Sequence, residues 1–182
     1  MRKLIQQYAK ELTAGRLASG YEHSYRVYHL AREIGEELEY DDEVLHAACF
    51  LHDTEMSVGH PESSAEKAQA ILIETGFTAD RIPAVYAAIL QHMPGGAPSS
   101  VEGKLLHDAN VLDSIGAIGF ARLSIGSFFW HHFKTMEEVL GYLRKSLSDT
   151  DGFCYEKSKD LAKGKTSFMK RALKQFAEEL NL

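Results

Sequence analysis

Apolar residues recur at intervals of three and four along most of this chain, and that rhythm predicts helices. Between Ser19 and Leu38 they fall at Val27, Leu30, Ala31, Ile34 and Leu38, which is one face of an amphipathic helix. His23 precedes Val27 by one turn and therefore lies near the buried stripe. Asp41 or Asp42 is placed to cap a second helix, which runs to about Leu51 through the unbroken apolar run Ala47-Ala48-Cys49-Phe50-Leu51. Thr54 to Pro61 reads as a loop containing Gly59. Ser63 with Glu66 forms the pattern of a capping box, opening a helix that ends near Gly76. Another helix starts at Thr78 or Asp80, tolerates Pro83 in its first turn, and stops near His92 before the breaker run Pro94-Gly95-Gly96-Ala97-Pro98. Ser99 with Glu102 repeats the capping pattern before a helix carrying Lys104, Asp108 and Leu112. Gly116 and Gly119 allow a close helix approach, Thr135 with Glu138 opens a later helix, and Ser158 to Leu180 is mostly helical. No alternating stretch is long enough for a sheet, so the expected fold class is an all-α bundle in a single domain.

Composition changes that picture only at its edges. The 182 residues suffice for one domain with a sizeable core. A net charge of −6 argues against a broad electrostatic footprint for nucleic acid, while leaving room for local basic groups that hold a phosphate. Cys49 and Cys154 form no CxxC pair, and Cys49 sits in an apolar run, as expected of a buried thiol in a reducing compartment. Charges interrupt Met1 to Leu17, so no signal peptide is read there, and no run of about 20 apolar residues predicts a membrane span. The expected location is the cytoplasm.

The chemistry lies in four positions. The adjacent pair His52-Asp53 follows the apolar run directly, with His23 upstream and Asp108 downstream. Neighbouring residues on a helix point about 100° apart, so a His and an Asp together at the end of an apolar helix need a reason, and a metal seen by both side chains supplies one. Two imidazoles and two carboxylates suit a divalent metal of hard to borderline character. Asp108 lies between Leu105-Leu106 and Ala109, Val111 and Leu112, where a carboxylate is costly unless paired or coordinated. The plainer alternatives are a helix-terminal His, a turn Asp and a capping carboxylate.

The order His, His-Asp, Asp on helices resembles the HD superfamily of metal-dependent phosphohydrolases. The residues that carry the resemblance are His23 in His23-Ser24-Tyr25-Arg26-Val27, the pair His52-Asp53, and Asp108 in Asp108-Ala109-Asn110-Val111-Leu112-Asp113. The last stretch continues to Arg122 and is similar to a subgroup of small, mostly uncharacterised HD hydrolases. There the segment usually reads Asp-Ala-Asp, so Asn110 departs from the pattern. The resemblance covers about Ser19 to Arg122, with 123–182 as a helical extension of one HD-like domain. It implies His23, His52, Asp53 and Asp108 as ligands of a divalent ion (Mn, Mg, Ni, Co, Zn or Fe). His60 and His92 could occupy the places of the two extra His found in binuclear members. Glu55 lies at a different offset from the acidic residue of HD nucleotidases and reads as an exposed loop residue.

The resemblance implies hydrolysis of a small phosphomonoester or phosphodiester, a nucleotide included, by metal-activated water, with Asp53 as ligand and partner in catalysis. Arg26 follows His23 by three residues on the same helix face and is the first choice of phosphate cation, with Lys104 and Arg122 as further choices. A di-iron oxygenase on the same scaffold and a non-catalytic metal- or nucleotide-binding module are the competing readings. The cyclic dinucleotide phosphodiesterase variant is disfavoured, because Met93-Pro94-Gly95-Gly96-Ala97-Pro98 lacks its Gly-Tyr-Pro signature. Phe128-Phe129-Trp130-His131-His132 is expected to pack in the core or to form a dimer face, which leaves a homodimer open, with a pocket role for His131 and His132 as the alternative. The expected partner is a small phosphorylated substrate, with neither nucleic acid nor membrane.

Overall fold

Residues 1–56 and 60–181 are described by a computed structural model, and among them every regular element is helical. In chain order these are α1 (Arg2–Leu12), α2 (Tyr21–Ile34), α3 (Asp42–Leu51), α4 (His60–Glu74), α5 (Ile82–Leu90), α6 (Val101–Asp113), α7 (Gly116–Trp130), α8 (Met136–Ser148) and α9 (Glu156–Leu180). Short 3₁₀ turns over Ala79–Arg81 and Asp149–Gly152 precede α5 and α9. The all-α expectation is met.

Helix α3 forms because Asp41 accepts from the Glu43 and Val44 amides, satisfying two donors left open at a helix start. Every residue from Val44 to Leu51 is then buried, and α1, α2, α4, α5 and α6 all pack around this helix. Helix α6 is buried from Leu105 through Asp113. It packs against α2, α3 and α5 on one side and against α7 and α9 on the other, joining the six N-terminal helices to the three C-terminal ones. Where α6 gives way to α7, Gly116 adopts a φ of +78°, which favours glycine, and a Cβ at Gly119 would collide with the Ser114 main chain. The expected close helix approach is found at Gly116, where a Cβ would lie 3.0 Å from Lys165 Cγ of α9. No single described helix is long and apolar enough to cross a membrane.

Several helix starts differ from the sequence pattern. Helix α4 begins at His60 rather than at Ser63, whose hydroxyl instead donates to the His60 carbonyl at 3.3 Å. Ser100, not Ser99, caps α6 by accepting from the Gly103 amide. Glu102 crosses to the Asp41 amide at 2.8 Å and so ties the starts of α6 and α3 together. Thr135 and Glu138 form the expected capping box of α8. The expected Thr54–Pro61 loop falls partly outside the described residues, at 57–59.

Candidate metal centre

His52 and Asp53 leave α3 where its apolar run ends. His52 is fully buried, and its Nδ1 meets the Cys49 carbonyl at 2.9 Å. Arg16 donates to the Asp53 and Thr54 carbonyls at 2.9 and 3.2 Å, fixing the turn that carries the carboxylate inward. His23 enters from the first turn of α2, His60 from the start of α4, and His92 from just beyond α5. Asp53 Oδ2 lies 3.4 Å from His23 Nε2 and 3.6 Å from His52 Nε2. Asp53 Oδ1 lies 3.6 Å from both His60 Nε2 and His92 Nε2. One carboxylate thus faces two pairs of imidazoles, one pair at each oxygen.

The hydrogen bonds behind the rings determine what the front atoms offer. His23 Nδ1 meets Asp113 Oδ2 at 2.7 Å, and His92 Nδ1 meets the Ile89 carbonyl at 2.6 Å. With His52 included, three rings have Nδ1 on oxygens that only accept, so Nδ1 carries the proton and Nε2 presents a lone pair. His23 Nε2 and His52 Nε2 stand 3.1 Å apart, a contact of two lone pairs unless a cation or proton lies between them. His92 Nε2 is buried without a hydrogen-bond partner among the described residues, which typically costs about 1–3 kcal/mol. Burial lowers His52 to about 3 and also lowers His60, keeping both imidazoles neutral as ligands must be. These observations fit a divalent ion, and the ligating atoms fall into two groups, His23-His52-Asp53 and Asp53-His60-His92.

Asp108, expected as the fourth ligand, is a correction. Its oxygens accept from the Cys154 amide at 2.9 and 3.0 Å, the Tyr155 amide at 3.0 Å and the Ser158 hydroxyl at 2.6 Å. It is a fully buried cap for the start of α9, with His107 Nδ1 at 3.1 Å, and does not reach the Asp53 cluster. Two residues along a helix turn the side chain through about 200°, so Asn110 emerges on the other side of α6, with Asp113 and Ser114 one turn further on. The spacing 110, 113, 114 is the sequence signal that identifies this face.

Arg26 is the second correction. It donates to Asp113 through Nε at 2.8 Å and Nη2 at 3.1 Å, and it does not line the cavity above the cluster. Arg122 does line it, with Nη1 2.9 Å from Asp113 Oδ2. Burial works to raise the Asp113 carboxyl, but the bonds from His23 and Arg26 overcome it and keep the group ionised. The cavity measures about 540 Å³ and runs from Asp53 and His60 past Asn110, Ser114 and Arg122 to Trp130, His131, His132 and Tyr142. The aromatic stretch expected in the core or at a dimer face therefore walls this cavity in part, through Phe129 to His132, while Phe128 and Phe129 remain mostly exposed. His132 has a φ of +52°, an uncommon conformation for a residue with a side chain, costing about 1–3 kcal/mol. Glu55 pairs loosely with Lys67 at 3.9 Å and stays partly exposed, as expected of a loop residue. Sequence reasoning missed Asp113, Ser114, Trp130 and Tyr142 as parts of the site.

This helical bundle gathers four imidazoles around one buried carboxylate, a set of residues that could hold a metal ion between helices. The HD domain matches residues 20–115, more than half of the chain, and the protein belongs to the HD-domain family. The chain is similar to the uncharacterised protein YpgQ of Bacillus subtilis, with 27% identity over 90% of this chain and 86% of YpgQ. A solved YpgQ structure in complex with ADP shares the fold, with a TM-score of 0.75, 23% identity and coverage of 98% and 97% of the two chains. A solved protein of Lactobacillus plantarum gives a TM-score of 0.82 at 25% identity, covering 99% and 96%. A predicted HD superfamily hydrolase from an uncultured Thermotogales bacterium gives 0.68 at 27% identity, covering 98% and 92%.

Proposed function

We propose that this protein is a metal-dependent phosphohydrolase acting on a small phosphomonoester or phosphodiester, with a nucleotide as the favoured substrate. The observation that carries this reading is the pair of imidazole groups sharing Asp53 beneath a cavity that Arg122 lines. His23, His52 and Asp53 would hold one divalent ion, with His60 and His92 holding a second through the other oxygen of Asp53. A divalent ion there supplies a lowered water pKa and a Lewis acid for a phosphoryl oxygen. Arg122 offers a fixed cation to a phosphate oxygen, and Asn110 and Ser114 add neutral donors on the same wall. Trp130, Tyr142 and His131 give the cavity flat aromatic surfaces on which a base can stack. The ADP bound to YpgQ supports a phosphorylated substrate, and the likeness to the predicted Thermotogales hydrolase supports hydrolysis. The net charge of −6 favours a small anion over a long polyanion.

The test is a phosphoester screen with protein loaded in turn with Mn²⁺, Ni²⁺, Co²⁺ and Mg²⁺, beside an Asp53→Ala variant. Phosphate or pyrophosphate release that requires both metal and Asp53 is expected. Absence of release from nucleotides and simple esters under every metal would contradict the hydrolase reading. Because His60 and His92 join the cluster, copurification of two equivalents of iron would move the assignment to the di-iron oxygenase.

A further inference from the structure

Asp113 is a buried carboxylate that touches neither the cavity nor any other group of the Asp53 cluster except His23. Its Oδ2 takes the His23 Nδ1 bond at 2.7 Å and Arg26 Nη2 at 3.1 Å, while Oδ1 takes Arg26 Nε at 2.8 Å. Arg122 Nη1 donates to the Asp113 main-chain carbonyl at 2.8 Å and forms an ion pair with Oδ2 at 2.9 Å. Two guanidinium groups thus secure an anion whose remaining task is to hold one imidazole. We propose that Asp113 is a positioning residue of the metal centre, fixing His23 with its proton on Nδ1 and its Nε2 toward Asp53. This rests on the reading of His23 as a metal ligand.

The physical argument has three parts. An acceptor-only oxygen behind Nδ1 selects the tautomer with a bare Nε2, and a full negative charge there makes Nε2 a better donor to a cation than a neutral acceptor would. Arg26 and Arg122 pair with that carboxylate, so its burial is compensated on the side away from His23. Asp113 also joins the two sides of the site: its Oδ2 holds the metal-facing ring, and its main-chain carbonyl and carboxylate together hold the cavity-lining guanidinium of Arg122. Asp113 lies five residues after Asp108, on the side of α6 that faces the cluster, so the carboxylate that serves the centre from this helix does so through His23.

The test uses Co²⁺ as probe, with affinity read by calorimetry and site geometry by the visible spectrum. Wild type is expected to bind Co²⁺. Asp113→Asn, folded by circular dichroism, is expected to bind it about 10–100-fold more weakly and with an altered spectrum. Wild-type affinity and spectrum in folded Asp113→Asn would overturn the proposal and leave the metal centre standing, whereas a wild type that binds no Co²⁺ would sink both. A measurement without any variant covers the case in which Asp113→Asn does not fold. Nitrogen-15 spectra of the metal-free wild type at pH 8 are expected to show His23 protonated at Nδ1, and a bare Nδ1 would overturn the proposal.

Discussion

The two sides of α6 use the same residue type for opposite ends. Asp108 faces α9 and spends its oxygens on two amides and a hydroxyl, so its charge is consumed in anchoring the C-terminal helix. Asp113 is just as buried, but it faces α2 and α7 and spends its charge on His23 and two arginines beside the cavity. Buried carboxylates therefore do not declare their role by burial or by motif position. The partner does: backbone amides at a helix start mean architecture, whereas an imidazole with a bare nitrogen toward a second carboxylate means chemistry.

The largest test of that contrast is Asp53→Ala. Removing the shared carboxylate is expected to abolish divalent binding in both groups and to lower phosphoesterase turnover on the order of 10³-fold or more. Retained metal with retained turnover would break the account. Asp108→Ala should do the reverse. It strips the acceptors from the start of α9 and is expected to cost about 3 kcal/mol, a fall of about 6–12 °C in Tm, with metal affinity of the folded protein unchanged. A thermal melt and a Co²⁺ titration on the same sample decide it, and loss of metal without loss of stability would reverse the roles assigned to the two carboxylates.

Arg122→Lys sharpens the cavity side of the comparison. The charge is kept but the planar fork is lost, so KM for a phosphorylated substrate should rise about tenfold with little change in kcat. An unchanged KM would take Arg122 out of substrate binding. The smallest effect concerns a histidine outside the site. His46 is buried in α3 against Tyr28 and Phe50, and burial, with Arg2 nearby, lowers it from 6.5 to about 4. Its unfolded form takes up a proton more readily, so the stability it contributes is fully present above pH 6.5 and is lost as pH falls toward 4. His46→Gln is expected to flatten the decline of Tm over that interval, and an identical decline in the variant would show that His46 does not drive it.

Helices α2 and α3 were legible because their signals are local, whereas α1 was not expected. A capping Asp41 before an unbroken apolar run leaves little choice but a buried helix, and a His-Asp pair at its end stands out. Of the expected ligands, the fold brings His23, His52, Asp53, His60 and His92 together. Asp108 was misassigned as a ligand because an acidic residue in an apolar helix signals only that it needs a partner. The Cys154 and Tyr155 amides lie 46 and 47 residues away, beyond any local pattern. Arg26 was misassigned for a related reason: sharing a face with His23 also puts it within reach of Asp113. The cavity wall from Trp130 to Tyr142 was illegible because α7 and α8 carry apolar side chains toward the cavity and toward solvent as well as toward the core.

The most direct test of the central claim is metal stoichiometry on purified protein incubated with Mn²⁺ and freed of excess ion. The account predicts two equivalents for wild type, one for His92→Ala, and none for Asp53→Ala, because the two groups share only that carboxylate. Absence of bound metal in wild type, or full occupancy in Asp53→Ala, would contradict it.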